Sequence, residues 1–170
     1  DWIIYSDSDE IPNLENINFH KTKEKYLTFK QDMFYYKFNL TLPTLDWFGS
    51  KACRIKDLKT ISDLRYIKSK KYSWWRFDTV FKKKKITNLK IIENGGWHFS
   101  QLKTPDEIYI KHINDEHHDM FERTGIVQEN IKDMIKNRYI PYDHSYDKKD
   151  WIKTWNKDNK IKLSIAKNSK

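Results

Sequence analysis

The chain contains only one cysteine, four glycines and four prolines among its 170 residues. Because the single thiol, Cys53, has no partner in the chain, an intrachain disulfide is excluded and nothing in the sequence indicates an oxidising compartment. The chain also lacks a membrane-length apolar run and a signal-peptide pattern, but it begins with Asp1 rather than Met, so its localisation and any membrane association stay unknown. The absence of a Gly- or Pro-rich linker and of internal repeats predicts one domain.

Apolar and basic residues are abundant. Hydrophobic residues make up 38% of the chain and aromatic residues 15%, enough to fill one core, and we expect this domain over residues 1–146 with a polar, basic tail over residues 147–170. The net charge of +9 attracts polyanions such as nucleic acid, an anionic membrane surface or nucleotide phosphates, without choosing among them. The sharpest cluster, Lys82 to Lys85, lacks the Gly, Ser or Arg interleaving of nucleic-acid tails and indicates a solvated turn.

Apolar periodicity and turn residues predict a mixed α/β domain with a central sheet. Trp2 to Tyr5 is typical of a strand buried on both faces, and Tyr26 to Phe38 alternates like a strand with one face in water. Asp46 to Ile55 is predicted as a loop leading into another strand. Two more strands span 89–93 and 97–100, and the paired glycines between them permit a tight turn or a close backbone approach. Helices are predicted from Pro12 through Asn18, from Asp57, from a Thr104 cap to Asn114, and over 126–137.

Three carboxylates crowd into SDSDEIP, residues 6–12, directly after the first predicted strand. In an irregular turn, Asp7 and Asp9 can point towards a common place, where their oxygens suit a hard divalent cation that bridges a protein carboxylate to a substrate phosphate. The alternative is an acidic turn that caps a following helix. An Asp-x-Asp pair by itself does not decide between the two.

Several segments, in order along the chain, resemble glycosyltransferase family 17, the β-1,4-mannosyl-glycoprotein β-1,4-N-acetylglucosaminyltransferase family. They are IIYSDSDEIP (3–12), FYYKFN (34–39), WFGSK (47–51) and GGWHFSQL (95–102), of which GGWHFS is the most specific. The resemblance runs from Asp1 to about Asp119 and implies a GT-A fold, a mixed central sheet with flanking helices. Because the part of a GT-A domain that precedes the DxD segment has no counterpart here, we expect a truncated transferase domain.

The resemblance implies an inverting transfer of N-acetylglucosamine, or a related hexose, from a UDP-sugar to a glycan or glycoprotein acceptor, with no nucleic-acid partner. Asp7 and Asp9 would then hold Mn²⁺ or Mg²⁺, with Asp9 as the stronger candidate and His98 as a further ligand. Candidates for binding the donor or acceptor are Trp47, Gly49, Lys51, Arg65 and Trp97, among which Lys51 and Arg65 suit a diphosphate.

The general base is left open by the sequence. Glu10 and Asp119 are weak candidates for the base or for an orienting acid, and Asp32, Asp46 and Asp63 also remain possible. Asp119 ends NDEHHD (114–119), which departs from the family's Ser-Phe-x-His-x-Glu-like pattern at this place.

Two other functions account for parts of the sequence. A metal-dependent phosphoesterase would use acidic residues with His98, His117 and His118, and it predicts further His and Asp ligands at strand ends. A non-catalytic polyanion-binding module would use the lysine clusters and aromatic residues, and it predicts indifference to Asp9.

Overall fold

The computed structural model describes residues 1–15, 17–68, 88–114, 127–140 and 161–165. The lysine run 82–85, the base candidate Asp119 and the candidate ligands His117 and His118 lie outside these ranges. The chain divides into two compact units, which are Asp1–Asp32 with Asp46–His98 and Met33–Leu45 with Phe99–Lys170. Within the described ranges, no helix has both the length and the apolar character that crossing a membrane requires.

The first unit is built on a mixed sheet. Strand β1 (Trp2–Tyr5) pairs antiparallel with β5 (Trp47–Arg54), and β5 pairs antiparallel with β3 (Tyr26–Tyr35). On the other edge of β3, β6 (Leu89–Ile92) pairs in parallel. Together with the helices, this mixed sheet makes the protein a mixed α/β fold, as predicted.

Apolar side chains cover both faces of this sheet. Adjacent strand residues point to opposite faces, so the neighbours Ala52 and Cys53 enter two different clusters. Ala52 packs with Leu27 and Phe29, and Cys53 packs with other buried residues, including Leu64 of helix α1 (Ile61–Arg65). Strand β3 was predicted to have one face in water, and this double coverage explains why its polar residue Thr28 is instead fully buried.

A short ribbon brings together segments far apart in the chain. Strand β2 (Glu10–Pro12) pairs antiparallel with β7 (Gly96–Ser100), with Glu10 opposite His98 and Pro12 opposite Gly96. Gly96 has φ +120°, and a Cβ atom there would lie 2.0 Å from the carbonyl oxygen of Ile11. The close backbone approach expected at the paired glycines is therefore confirmed.

The second unit contains the two longer helices. Helix α2 (Pro105–Asn114) begins after Thr104, whose backbone N–H donates to the Glu107 carboxylate and whose hydroxyl oxygen accepts from the Glu107 backbone N–H, as the predicted capping box requires. It packs against helix α3 (Gln128–Asn137). The short strands form two antiparallel pairs, β4 (Leu40–Thr41) with β10 (Ser164–Ile165) and β8 (Tyr139–Ile140) with β9 (Ile161–Lys162).

Some predicted elements differ from the structure. Strand β1 is half-buried rather than buried, and β5 begins already at Trp47, so nearly all of the segment predicted to start as a loop is strand. No helix occurs in the described residues between Pro12 and Asn18, because Pro12 lies in β2 and the Asn13 amide donates to the carbonyl of Gly95. After β5, a 3-10 turn (Ile55–Asp57) precedes α1, where the sequence predicted one helix from Asp57.

Candidate functional site

The acidic segment forms a tight turn between two strands. Strand β1 ends at Tyr5 and β2 begins at Glu10, whose backbone N–H donates to the carbonyl of Asp7 at 3.1 Å. Asp7 and Asp9 therefore lie in irregular backbone, as the sequence predicted. The Asp9 side chain is half-exposed, with 45% of its surface accessible.

His98 of β7 faces this turn from across the ribbon. Its Nδ1 atom lies 3.9 Å from Asp9 Oδ1 and 3.7 Å from Glu10 Oε1, and only 8% of its side chain is exposed. Within the described ranges this nitrogen has no hydrogen-bond partner. Buried polar atoms are nearly always partnered, so an unpartnered nitrogen that faces a carboxylate indicates a place for a ligand.

Glu10 is a buried acceptor. One carboxylate oxygen accepts from the Trp47 indole N–H at 2.8 Å, and the other accepts from Ser50 Oγ at 3.2 Å and from the Asp7 backbone N–H at 3.4 Å. Burial alone would raise the pKa of Glu10, but His98, Trp47 and the Asp7 amide outweigh it, and the pKa is lowered. Because its oxygens are occupied and its pKa is low, Glu10 suits the orienting role better than that of a base.

The sequence did not reveal the polar network behind Glu10. The buried Ser50 hydroxyl accepts from Gln31 Nε2 at 3.0 Å and lies 2.6 Å from Ser6 Oγ. Gln31 is no distinctive signal in the sequence because it stands between the polar residues Lys30 and Asp32 of β3, and neither serine is distinctive in composition. Trp47 donates to one Glu10 oxygen, and Ser50, itself hydrogen-bonded to Gln31, donates to the other, so uncharged side chains hold both carboxylate oxygens.

Trp47 and Gly49, predicted to border a sugar, both contact the network. The Trp47 ring lies over His98 with centroids 4.5 Å apart and planes at 36°. A Cβ atom on Gly49 would lie 2.0 Å from Gln31 Oε1 and 2.6 Å from Glu10 Oε1. The absence of a side chain at Gly49 therefore makes room for the Glu10 carboxylate and the Gln31 amide.

The predicted diphosphate ligands lie together beside Asp7. Arg65 Nη2 is 3.6 Å from Asp7 Oδ2, and the Tyr5 hydroxyl donates to Asp7 Oδ1 at 2.7 Å. Lys51 Nζ donates to the Arg65 carbonyl at 2.9 Å, and burial lowers the pKa of this lysine against the opposing charges of Glu10 and Asp7. Both oxygens of Asp7 are engaged, whereas Asp9 has, among the described residues, only the longer approach to His98, so Asp9 is the more available of the two to a cation.

Other candidates lie apart from this cluster. Trp97 is paired with Ile11 on the opposite face of the ribbon from Glu10 and His98, and it is 40% exposed. Asp46 forms an ion pair with Lys30 at 2.9 Å, and Asp63 accepts from Thr60 at the start of α1. Asp32 is exposed on β3. The structure does not bring any of these four side chains together with Asp9.

The donor set fits a divalent cation only in part. In the described portions of the chain, no group of three or more His, Cys, Asp or Glu side chains is arranged to hold a metal ion. Asp9 and His98 supply one oxygen and one nitrogen donor, both suited to Mn²⁺. Hard divalent cations commonly complete their coordination with water and substrate phosphates, so two protein ligands are compatible with a substrate-assisted site.

Comparison with known proteins found no matching family model, no matching curated protein and no matching solved structure.

Proposed function

We propose that the protein is a metal-dependent, inverting glycosyltransferase of the GT-A type, which transfers N-acetylglucosamine or a related hexose from a UDP-sugar to a glycan or glycoprotein. One observation carries the proposal. The two most distinctive segments, SDSDEIP and GGWHFS, form neighbouring antiparallel strands, with Asp9 and His98 at 3.9 Å. These two segments, residues 6–12 and 95–100, are far apart in the sequence, so their contact is a property of the fold and not of the sequence spacing.

In this proposal Asp9 and His98 hold the cation. A bound Mn²⁺ or Mg²⁺ would act as a Lewis acid that neutralises the charge developing on the leaving nucleoside diphosphate. The Glu10 carboxylate accepts hydrogen bonds from Trp47 and Ser50. Its negative charge therefore lies near Asp9 and His98, while the carboxylate itself is turned away from the exposed side of the turn. The exposed side of Asp9 leaves room for a phosphate oxygen of the donor to reach the cation.

Lys51 and Arg65 supply the positive charge for the diphosphate. Arg65 is half-exposed and its guanidinium approaches only one Asp7 oxygen, so its remaining N–H groups can bind phosphate oxygens. Lys51 Nζ is held by the backbone carbonyl of Arg65. Asp7 forms an ion pair with the Arg65 guanidinium and so orients it.

The acceptor hydroxyl must lose its proton to a carboxylate in a single displacement. Glu10 is a poor choice for the reasons of burial and pKa given above. Asp32, Asp46 and Asp63 lie apart from Asp9, and Asp119 lies outside the described residues, so we assign no base. A phosphoesterase would need a larger ligand cluster for two-metal hydrolysis, and His117 and His118, its further candidate ligands, lie outside the described residues.

Calorimetric titration with UDP-N-acetylglucosamine tests the proposal. We expect binding in the presence of Mn²⁺ and loss of at least about 10-fold in affinity when Mn²⁺ is removed or when Asp9→Asn removes the ligand. The matched control is Glu15→Gln, which makes the same change in charge at an exposed loop residue outside the cluster. It should bind like the unmodified chain.

Two results would contradict this function. Binding that is unchanged without Mn²⁺ and in Asp9→Asn would show that the acidic turn is not a metal site. Binding that instead falls steeply with salt, and that extends to unrelated polyanions, would favour the polyanion-binding module.

A further inference from the structure

Trp47 connects three elements around His98. It lies on strand β5, its indole N–H donates to Glu10 of β2 at 2.8 Å, and its ring lies over His98 of β7. The centroid distance of 4.5 Å is at the short end of the range for aromatic contacts. An indole held at both its N–H and its face has little freedom to move.

Within the part of the chain that the structure describes, His98 Nδ1 has no hydrogen bond that would fix its ring. The Nδ1 atom is 3.7 Å from Glu10 and 3.9 Å from Asp9, too far for a hydrogen bond to either carboxylate. The Trp47 indole, tilted by 36° against the imidazole at 4.5 Å between centroids, is a contact that limits the orientation of the imidazole on this side. A metal-ligating imidazole depends on such outer contacts for its orientation.

We propose that Trp47 is a positioning residue that holds the His98 imidazole beside Asp9 for cation binding. This inference rests on the proposed function. It gives Trp47 a role different from contact with a sugar, since its N–H is already used by Glu10 and one ring face is covered by His98. The ring maintains the orientation of His98, and the hydrogen bond to Glu10 maintains the orientation of the ring.

The test compares Mn²⁺ affinity in Trp47→Phe and Trp47→Leu. Phenylalanine keeps a ring above His98 but loses the donor to Glu10, and leucine loses both. We expect Trp47→Phe to raise the Mn²⁺ dissociation constant about 10-fold, as for other residues that orient metal ligands, and Trp47→Leu to raise it at least as much. The matched control is Trp2→Phe, a half-buried tryptophan that packs with Phe19 and Arg54 away from the cluster.

A spectroscopic readout separates positioning from general destabilisation. The chain has seven tryptophans, and in a 5-fluorotryptophan-labelled sample the Trp47 ¹⁹F resonance is the one that Trp47→Phe lacks. Paramagnetic Mn²⁺ at Asp9 and His98 should broaden this resonance in the unmodified chain and leave it sharp in Asp9→Asn. Thermal unfolding midpoints, recorded for every variant, show whether Trp2→Phe costs comparable stability while leaving Mn²⁺ affinity unchanged.

The possible failures are distinguishable. If Mn²⁺ broadens the Trp47 resonance but both Trp47 variants bind Mn²⁺ as tightly as the unmodified chain, the cation site stands and the positioning role is wrong. If Mn²⁺ broadens no resonance and does not bind, the proposed function fails and this inference fails with it.

Discussion

Replacing Gly96 with alanine should lower the free energy of unfolding by about 4 kcal/mol, the largest effect expected of any single substitution here. The new Cβ would lie 2.0 Å from the Ile11 carbonyl oxygen and 2.7 Å from the Asn13 nitrogen, and φ +120° is unfavourable for any L side chain. Both crowding atoms are backbone atoms of the strand β2 region, so no side-chain rotation relieves the clash. The pairing of β2 with β7 must open instead.

Chemical denaturation of Gly96→Ala and Gly49→Ala measures this effect. At Gly49 the nearest atoms are the ends of Gln31 and Glu10, which can turn away at the cost of their hydrogen bonds. Gly49→Ala should therefore destabilise less, by about 2 kcal/mol. Equal stability of Gly96→Ala and the unmodified chain would show that β2 and β7 do not pair as described.

Removing the Glu10 carboxylate should have the second largest effect. Glu10→Ala leaves the Trp47 indole N–H, the Ser50 hydroxyl and the Asp7 amide without this acceptor, and we expect a loss of about 3 kcal/mol in unfolding free energy. Urea denaturation at neutral pH measures it. Glu15→Gln, at an exposed position, should change stability little. A loss no larger in Glu10→Ala than in this control would contradict the buried hydrogen-bonded role.

Glu10 also makes stability depend on pH. Its pKa in the folded protein lies below the ordinary value of 4.5, so the ionised carboxylate stabilises the fold fully above about pH 4.5. This contribution is lost as the pH falls from there through the lower, folded-state pKa. Glu10→Gln should remove that part of the pH dependence, and an unchanged acid profile would be the contrary result.

Local sequence signals predicted those elements whose stabilising contacts are close in sequence. The apolar run 2–5 followed by Ser and Asp predicted β1, and Thr104 with Glu107 predicted the start of α2 because the capping box closes within one turn. The helix predicted from Pro12 was wrong because Pro12 belongs to a strand that pairs with a segment far away in the sequence. Glu10 to Pro12 form a strand because residues 96–98 pair with them. The residues around Pro12 contain no local pattern that predicts this pairing.

The site was predictable in its charged residues and not in its supporting ones. Residue type or the resemblance identified four charged or titratable candidates, Asp9, Lys51, Arg65 and His98. In the structure Asp9 lies close to His98, and Lys51 lies close to Arg65. Ser50 and Gln31 were missed because a neutral polar residue gains importance only when it is buried. Burial here follows from coverage of both sheet faces, which alternation along one strand cannot reveal.

The most direct test of the central claim is a double-mutant cycle on Mn²⁺ affinity, measured by electron paramagnetic resonance of the free ion in Asp9→Asn, His98→Phe and the double variant. Phenylalanine keeps a ring beneath Trp47 while removing both nitrogens. If the two side chains hold one ion, each single change should weaken binding at least about 10-fold, and the double change should add little to the larger single effect. Additive losses, or Mn²⁺ binding that neither change weakens, would contradict a shared cation site at Asp9 and His98.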